Sequence, residues 1–76
     1  MSQKLPAVRG KDLVRVLQKV GWDILNIHGS HFQLEHRNTK VRITVAVHVG
    51  KDIYRGLLKK ILEEVGLSTD EFRKLL

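Results

Sequence analysis

The first regular pattern along the chain is an apolar stripe of helical spacing. Leu13, Val16, Leu17 and Val20 recur at i, i+3, i+4 and i+7, which places them on one face of a helix. Polar and charged residues fill the positions between them, and Gly21 follows as a stop. The pattern therefore predicts a first amphipathic helix that packs one face against the rest of the protein.

The hydrophobic period changes to two after Gly21, which is typical of half-buried antiparallel strands. Residues 22–27 are predicted as a first strand. The apolar positions of the next two strands are Phe32 and Leu34, then Val41, Ile43 and Val45. Short polar connections at residues 28–30 and 37–40 separate the strands. We predict a three-stranded meander.

Helical spacing returns in the C-terminal part of the chain. A second helix is predicted over residues 52–65, with Gly66 as its stop. Its inward residues are expected to be Tyr54, Leu57, Leu58, Ile61, Leu62 and Val65. Residues 68–71 read Ser-Thr-Asp-Glu, which fits a capping box that opens a short last helix. That helix offers Phe72, Leu75 and Leu76 for packing.

This order of elements predicts an α+β fold, with helices on one face of a three-stranded antiparallel sheet and the other face open. Strand parity places Gln33 and Glu35 beside Arg42 and Thr44 on the open face, with His31 at its edge. Residues 1–76 contain no linker, internal repeat or low-complexity stretch. We expect them to form a single domain.

The amino-acid composition indicates a polyanionic partner. The chain has a formal net charge of +6 and an isoelectric point near 10.1, which favours nucleic acid. Residues 1–62 carry 12 basic and 4 acidic side chains, a net of +8, whereas residues 63–76 carry 2 and 4, a net of −2. The last helix is therefore not expected to face the polyanion. Charge alone does not separate RNA from DNA or a membrane.

Other compositional features restrict the location and the chemistry. The chain has no cysteine, so a disulfide framework and thiolate metal sites are excluded. No segment has the length of a signal peptide's apolar core or a transmembrane span. We expect a cytoplasmic protein that does not bind a membrane.

The connection Gly29-Ser30-His31 offers the residues for chemistry on a phosphate. Gly29 allows a close approach of the backbone to a ligand, and Ser30 supplies a hydroxyl or N–H group to a phosphate oxygen. His31 can exchange a proton near neutral pH. The residue types alone also fit an ordinary turn followed by an ordinary strand-edge histidine.

Several further side chains are candidates for supporting roles. Lys51, Arg55 and Lys59 lie four apart, on one stripe of the predicted second helix, with Lys51 near its N-terminus. They either follow a nucleic acid backbone or form a solvated face, with Lys59 partly paired to Glu63. Lys40 and Arg42 are further candidate phosphate contacts. For a second proton-transfer group the candidates are His48, His28, His36 and Tyr54, in that order.

Metal catalysis has less support, because the histidines form no His-x-x-x-His pair and no carboxylate cluster accompanies them. We expect neither a metal nor a small-molecule cofactor.

Strings distributed along nearly the whole chain resemble the HicA family. They are residues 10–13 (Gly-Lys-Asp-Leu), Gly21-Trp22, Gly29-Ser30-His31, residues 45–48 (Val-Ala-Val-His), residues 55–62 (Arg-Gly-Leu-Leu-Lys-Lys-Ile-Leu) and residues 65–72. The resemblance implies a fold like that of the double-stranded-RNA-binding domain, metal-free cleavage of mRNA and inhibition by a HicB antitoxin. It also implies that His31 is the catalytic residue, with His48 where the family motif tends to have histidine.

The chain departs from the family pattern at three positions. His28 stands where Lys or Arg is common, Ala46 where Pro is usual, and Leu57 where Thr or a small residue is frequent. These departures affect phosphate affinity at neutral pH, loop stiffness and helix packing, respectively. None of them removes His31.

Two other functions remain open on the sequence. The same fold could bind RNA without cleaving it, since double-stranded RNA is recognised largely by shape and 2′-hydroxyl contacts. A protein whose main task is to bind an antitoxin-like partner is the third possibility.

Overall fold

The computed structural model describes residues 5–76, which form three helices and three strands. In chain order these are α1 (Gly10–Lys19), β1 (Trp22–His28), β2 (His31–His36), β3 (Arg42–Ala46), α2 (Arg55–Val65) and α3 (Thr69–Leu75). The predicted α+β class and the order of elements are confirmed. No helix in this part of the chain is long and apolar enough to cross a membrane.

The strands form one antiparallel sheet in the order β1-β2-β3. Gln33 lies opposite Thr44, and Glu35 lies opposite Arg42, so the predicted strand parity is confirmed. Strand β1 contains an irregularity that the sequence pattern did not reveal, because the register shifts between Ile24 and Asn26. The extra residue bulges out of the ladder.

The core lies between the helices and the inner face of the sheet. Its buried side chains come from Val8, Leu13, Val14, Val16, Leu17, Trp22, Leu34, Ile43, Val45, Leu58, Ile61, Leu62 and Phe72. In the described part of the chain no polar or charged side chain is buried. All the residues capable of proton transfer or phosphate binding therefore lie at the surface.

The predicted helix ends are confirmed. Gly21 follows α1 with φ 102°, and Gly66 caps α2 in the left-handed conformation. At α3 the Glu71 N–H donates to Ser68 Oγ at 3.1 Å, and the Ser68 N–H donates to Glu71 Oε1 at 3.0 Å. This reciprocal pair is the capping box. Its hydrogen bonds from Ser68 lower the pKa of Glu71.

The predicted start of the second helix is wrong by three residues, because α2 begins at Arg55 and not at Asp52. Backbone pairing with the chain before α1 holds the preceding residues extended. Arg9 and Asp52 form an antiparallel bridge, and the Ile53 N–H donates to the Val8 carbonyl at 2.8 Å. This pairing holds residues 52–53 against residues 8–9 and gives the Ile53 N–H a partner, which it would lack in the first turn of a helix that began at Asp52.

Two residues of this segment that were predicted in the core face outward. Tyr54 is 79% exposed and Leu57 is 40% exposed, so their assignment to the core is wrong. Val41, predicted inside the third strand, precedes β3 and is 51% exposed. At the C-terminus Phe72 is fully buried, whereas Leu76 is 44% exposed.

The first residue of α1 packs directly against the chain at the end of β3. A Cβ atom on Gly10 would lie 2.8 Å from the Val47 Cα and 2.9 Å from the Ala46 carbonyl oxygen. Both obstructing atoms belong to backbone, which cannot move aside as a side chain can. Glycine at this position allows the start of α1 to rest directly on the end of β3.

Substitution Gly10→Ala is expected to destabilise the fold by about 1–3 kcal/mol, since the added methyl group overpacks a rigid contact. Helix propensity alone predicts that Gly10→Ala would stabilise the fold. Chemical denaturation followed by the fluorescence of buried Trp22 measures the change, with exposed Lys11→Ala as the control. A Gly10→Ala protein at least as stable as the wild type would contradict the close-packing argument.

The capping box predicts acid sensitivity of α3. Because the folded-state pKa of Glu71 lies below its ordinary value of 4.5, the carboxylate stabilises the folded state above that pH and loses this effect as the pH falls through the lowered pKa. Glu71→Gln keeps a capping side chain without a titratable charge. The melting temperature of the wild type should exceed that of Glu71→Gln at neutral pH, and the difference should disappear in acid. A difference independent of pH would refute this account.

Candidate active site at the β1–β2 hairpin

The hairpin that joins β1 to β2 carries the histidine predicted to be catalytic. Its two central residues are Gly29, with φ 58°, and Ser30, whose φ is not positive. Positive φ at the first central position alone is the pattern of a type II′ turn, which favours glycine there. His31 begins β2 directly after the turn and is exposed. The turn therefore presents His31 to solvent at the end of the sheet.

The end of β3 lies beside this turn. His31 is opposite Ala46 in the ladder, and the Val47 N–H donates to the Ser30 carbonyl at 2.6 Å. This hydrogen bond extends the β2–β3 pairing into the hairpin turn. The chain that leads to His48 is thus fixed next to Gly29-Ser30-His31.

A second histidine faces His31 across the hairpin. His28 is the register partner of His31, and side chains at directly opposite positions lie on the same face of a sheet. The Asn26 Nδ2 amide lies 2.8 Å from His28 Nε2. Since Asn26 Oδ1 accepts the N–H of Ile27 at 2.9 Å, the amide nitrogen is the donor to His28. Neutral His28 then carries its proton on Nδ1.

Sequence reasoning ranked His28 below His48 and did not identify Asn26. The signal for His28 was available, since a two-residue hairpin loop makes its flanking residues direct partners. The sequence carried no such signal for Asn26, because the position of Asn26 depends on the bulge in β1.

His36 lies at the other end of β2 and has structural contacts. Its ring packs edge-on against Trp22, with centroids 5.2 Å apart. His36 Nδ1 accepts backbone N–H groups from Asn38 at 3.2 Å and Thr39 at 3.4 Å. These contacts assign His36 to the β2–β3 turn and separate it from His31.

His48 is exposed and borders two cavities. One cavity, of about 280 Å³, lies between the start of α1 and residues 47–50. The other, of about 240 Å³, is lined by Ala46, His48, Lys51, Asp52, Ile53, Tyr54 and Leu57. Ala46 connects this second cavity to the hairpin, because it is the ladder partner of His31.

Arginine side chains pair with every acidic residue in the described part of residues 1–62. The pairs are Arg9–Asp52, Arg15–Asp12, Arg37–Asp23 and Arg42–Glu35, at 2.8 to 3.1 Å. The Arg37 guanidinium lowers the pKa of Asp23 and has its own pKa raised in return. Arg42, a predicted phosphate contact, is thus already paired with a carboxylate.

The other predicted cations lack such partners. Within residues 5–76, Lys51, Arg55 and Lys59 form no ion pair, and the alternative pairing of Lys59 with Glu63 is not made. Lys51 precedes α2 by four residues, so the predicted single helical stripe is wrong. Only Arg55 and Lys59 share a helix face, while Lys51 lines the cavity beside His48.

The N-terminus of α2 adds positive potential to these cations. Unlike α1 and α3, α2 has no acidic residue in its first turn, and the side chain of its N-cap residue, Tyr54, makes no capping hydrogen bond. The helix dipole and the free N–H groups of such a terminus favour an anion.

Lys40 lies away from this cluster. It has φ 64° and belongs to the β2–β3 turn, at the end of the sheet opposite the hairpin turn. Arg42 faces Glu35, four residues along β2 from His31, which corresponds to roughly 13 Å at the rise of a strand. The structure therefore places His28 opposite His31 and fixes the chain before His48 beside the hairpin turn, with Lys51 lining the cavity that reaches Ala46. Lys40 and Arg42 lie farther along the sheet.

No group of three or more His, Asp or Glu side chains within residues 5–76 is arranged to hold a metal ion.

Comparison with known proteins identifies the family. A family model described as the HicA toxin of bacterial toxin-antitoxin systems matches residues 10–67, which run from the start of α1 to just beyond α2 and include the entire hairpin site. No curated protein and no solved structure gives a significant match. Since the matched region is well over half of the 76 residues, the chain belongs to the HicA family of toxins from bacterial toxin-antitoxin systems.

Proposed function

We propose that this toxin is a metal-independent endoribonuclease that cleaves mRNA in the cytoplasm, thereby stopping translation, and that a HicB antitoxin neutralises it. The observation that carries the proposal is the exposed His31 on a tight Gly29 turn, with His28 as its ladder partner, in a chain of the HicA toxin family. Residues 1–76 would act as one toxin domain.

RNA supplies its own nucleophile, so few protein groups are required. The 2′-oxygen attacks the adjacent phosphorus, the bond from phosphorus to the 5′-oxygen breaks, and a 2′,3′-cyclic phosphate and a 5′-hydroxyl end form. One proton leaves the 2′-oxygen and one is delivered to the 5′-oxygen. Two imidazoles on the same sheet face, His31 and His28, fit one acceptor and one donor.

The neighbouring groups support binding of the phosphodiester backbone. The Gly29-Ser30 turn offers backbone N–H groups and the Ser30 hydroxyl beside His31. Lys51, Arg55 and Lys59 supply unpaired positive charge near the N-terminus of α2. Lys40 and Arg42 would contact only a longer RNA that continues along the sheet.

Neutralisation by a partner protein is consistent with the exposed edge of the sheet. Strand β1 is an edge strand that ends at the hairpin turn. Its apolar residues Leu25 and Ile27 are 46% and 50% exposed. A HicB antitoxin that covered this edge would bury apolar surface and block access to His31 together.

The competing function is RNA binding without cleavage. It keeps the basic surface but gives His31 no chemical role. In that case affinity for RNA would survive the loss of His31 and would fall with salt as phosphate contacts are screened.

A comparison of the wild type with His31→Ala tests the proposed activity. Induction of the wild type without antitoxin should arrest growth, and the purified protein should cleave RNA in the presence of chelator. His31→Ala should lower the cleavage rate by on the order of 10²–10⁴-fold, the usual contribution of a general acid or base. Trp22 fluorescence verifies folding. Unchanged cleavage by the folded variant would remove the catalytic assignment, and binding without cleavage by the wild type would favour the competing function.

Variants of His28 and His48 locate the second proton-transfer group. We expect His28→Ala to lower kcat by roughly 10²-fold, because His28 is the ladder partner of His31. His48→Ala should raise KM with kcat near that of the wild type, because His48 lines the adjoining cavity. The reverse result, with kcat lost only in His48→Ala, would assign the helper role to His48.

A further inference from the structure

Tyr54 presents an aromatic ring to solvent beside the proposed active site. Of the Phe, Trp and Tyr side chains, Trp22 and Phe72 are buried and Phe32 is half-buried, whereas Tyr54 is 79% exposed. The ring lines the 240 Å³ cavity that also contains Ala46, His48 and Lys51. At this exposure most of the ring surface is open to contact with a ligand.

A neighbouring glycine determines where the ring lies. A Cβ atom on Gly56 would be 2.9 Å from Tyr54 Cε2 and 3.4 Å from Cδ2, so the ring rests against the bare backbone of the first turn of α2. Glycine inside a helix is unfavourable by about 1 kcal/mol compared with alanine. Gly56 therefore makes room for one particular position of the Tyr54 ring, with most of the ring left open.

The surroundings of the ring match a nucleotide. Lys51 lines the same cavity, and Arg55 follows Tyr54 in the chain, both without an ion pair among the described residues. The cavity reaches Ala46, the ladder partner of His31. An aromatic face near unpaired cations is an arrangement by which proteins stack an unpaired base while holding its phosphates.

We propose that this cavity, with the Tyr54 ring as its stacking surface, binds an unpaired nucleobase next to the cleaved phosphodiester, so that the substrate is single-stranded RNA. The inference rests on the proposed function, because it assumes that RNA lies across His31. Tyr54 acts as a binding residue and takes no part in proton transfer. A duplex cannot use this surface, since its bases are stacked on one another and its outer face presents only phosphates and grooves.

Binding of uncleavable oligonucleotides tests the inference separately from catalysis. The probe is a short 2′-O-methyl RNA, single-stranded or annealed to its complement, followed by fluorescence anisotropy. Tyr54→Ala should weaken single-strand binding by on the order of tenfold and leave duplex binding unchanged. Tyr54→Phe keeps the ring and should bind as the wild type does. Val41→Ala, another exposed apolar residue at the far end of the sheet, is the matched control.

A 2-aminopurine base in the single strand gives a direct signal of stacking. Its fluorescence should be quenched by the wild type and by Tyr54→Phe, but not by Tyr54→Ala. The inference is overturned if Tyr54→Ala binds the single strand like the wild type, or if it loses affinity equally for single strand and duplex. Loss of antitoxin binding with RNA binding intact would also overturn it, by assigning the ring to a protein interface.

Cleavage of unmodified RNA by the same proteins separates the two proposals. A wild type that cleaves RNA, with binding indifferent to Tyr54, keeps the proposed function and removes the nucleobase site. A wild type that binds single strands through Tyr54 without cleaving them keeps the nucleobase site and removes the catalytic function.

Discussion

The site depends on one close contact, the packing of residues 8–10 against the end of β3 and the chain that follows it. Gly10 rests on the backbone of residues 46–47, with no room for a Cβ atom. Val8 accepts the N–H of Ile53, and Arg9 pairs with Asp52 through both backbone and side chain. Three segments distant in sequence are thereby fixed together. They are the start of α1, the hairpin with its neighbour β3, and the chain that leads into α2.

Ion pairing by arginine side chains decides how charge is distributed over the surface. The ion pairs of Arg9, Arg15, Arg37 and Arg42 are exposed, and such pairs add little to stability. Their larger effect is to neutralise every carboxylate in the described part of the first 62 residues. The positive charge that remains unpaired includes Lys51, Arg55 and Lys59, next to or on α2. A net charge read from composition becomes, in the fold, a basic surface close to the hairpin.

Local patterns were sufficient for the architecture. The apolar stripe of α1, the period of two in the strands, and the Ser68–Glu71 capping box are each determined by residues close in sequence, and all were predicted correctly. The start of α2 was predicted incorrectly, because the bridge between Asp52 and Arg9, 43 residues apart, overrides the helical spacing of residues 52–54. The exposure of Tyr54 follows from that tertiary bridge, so the spacing of its own segment could not reveal it. Leu57 lies within α2, beside its buried face, and is 40% exposed.

The candidate site was predicted in part for the same reason. The Gly29-Ser30 turn and His31 are adjacent in sequence, and resemblance to the HicA family singled them out. The position of His28 opposite His31 follows from the two-residue hairpin loop. The Asn26 amide that orients His28 depends on the bulge in β1, which the alternation of apolar and polar residues does not reveal. Lys40 was predicted together with Arg42 as a separate phosphate contact. Its place at the opposite end of the sheet is set by the strand order.

A domain of this size leaves the chemistry at its surface. Its described core contains only apolar side chains, and a small protein cannot afford to bury charged groups without partners. His31 and His28 therefore stand on an open hairpin where water reaches them. Under the proposed function, the low-dielectric environment that strengthens catalytic electrostatics would have to be completed by the RNA itself, with a base on Tyr54 helping to cover the cleaved phosphate. A site completed by its substrate is inactive whenever another molecule occupies the hairpin, so an antitoxin could inhibit it by coverage alone, without any change in the fold of the toxin.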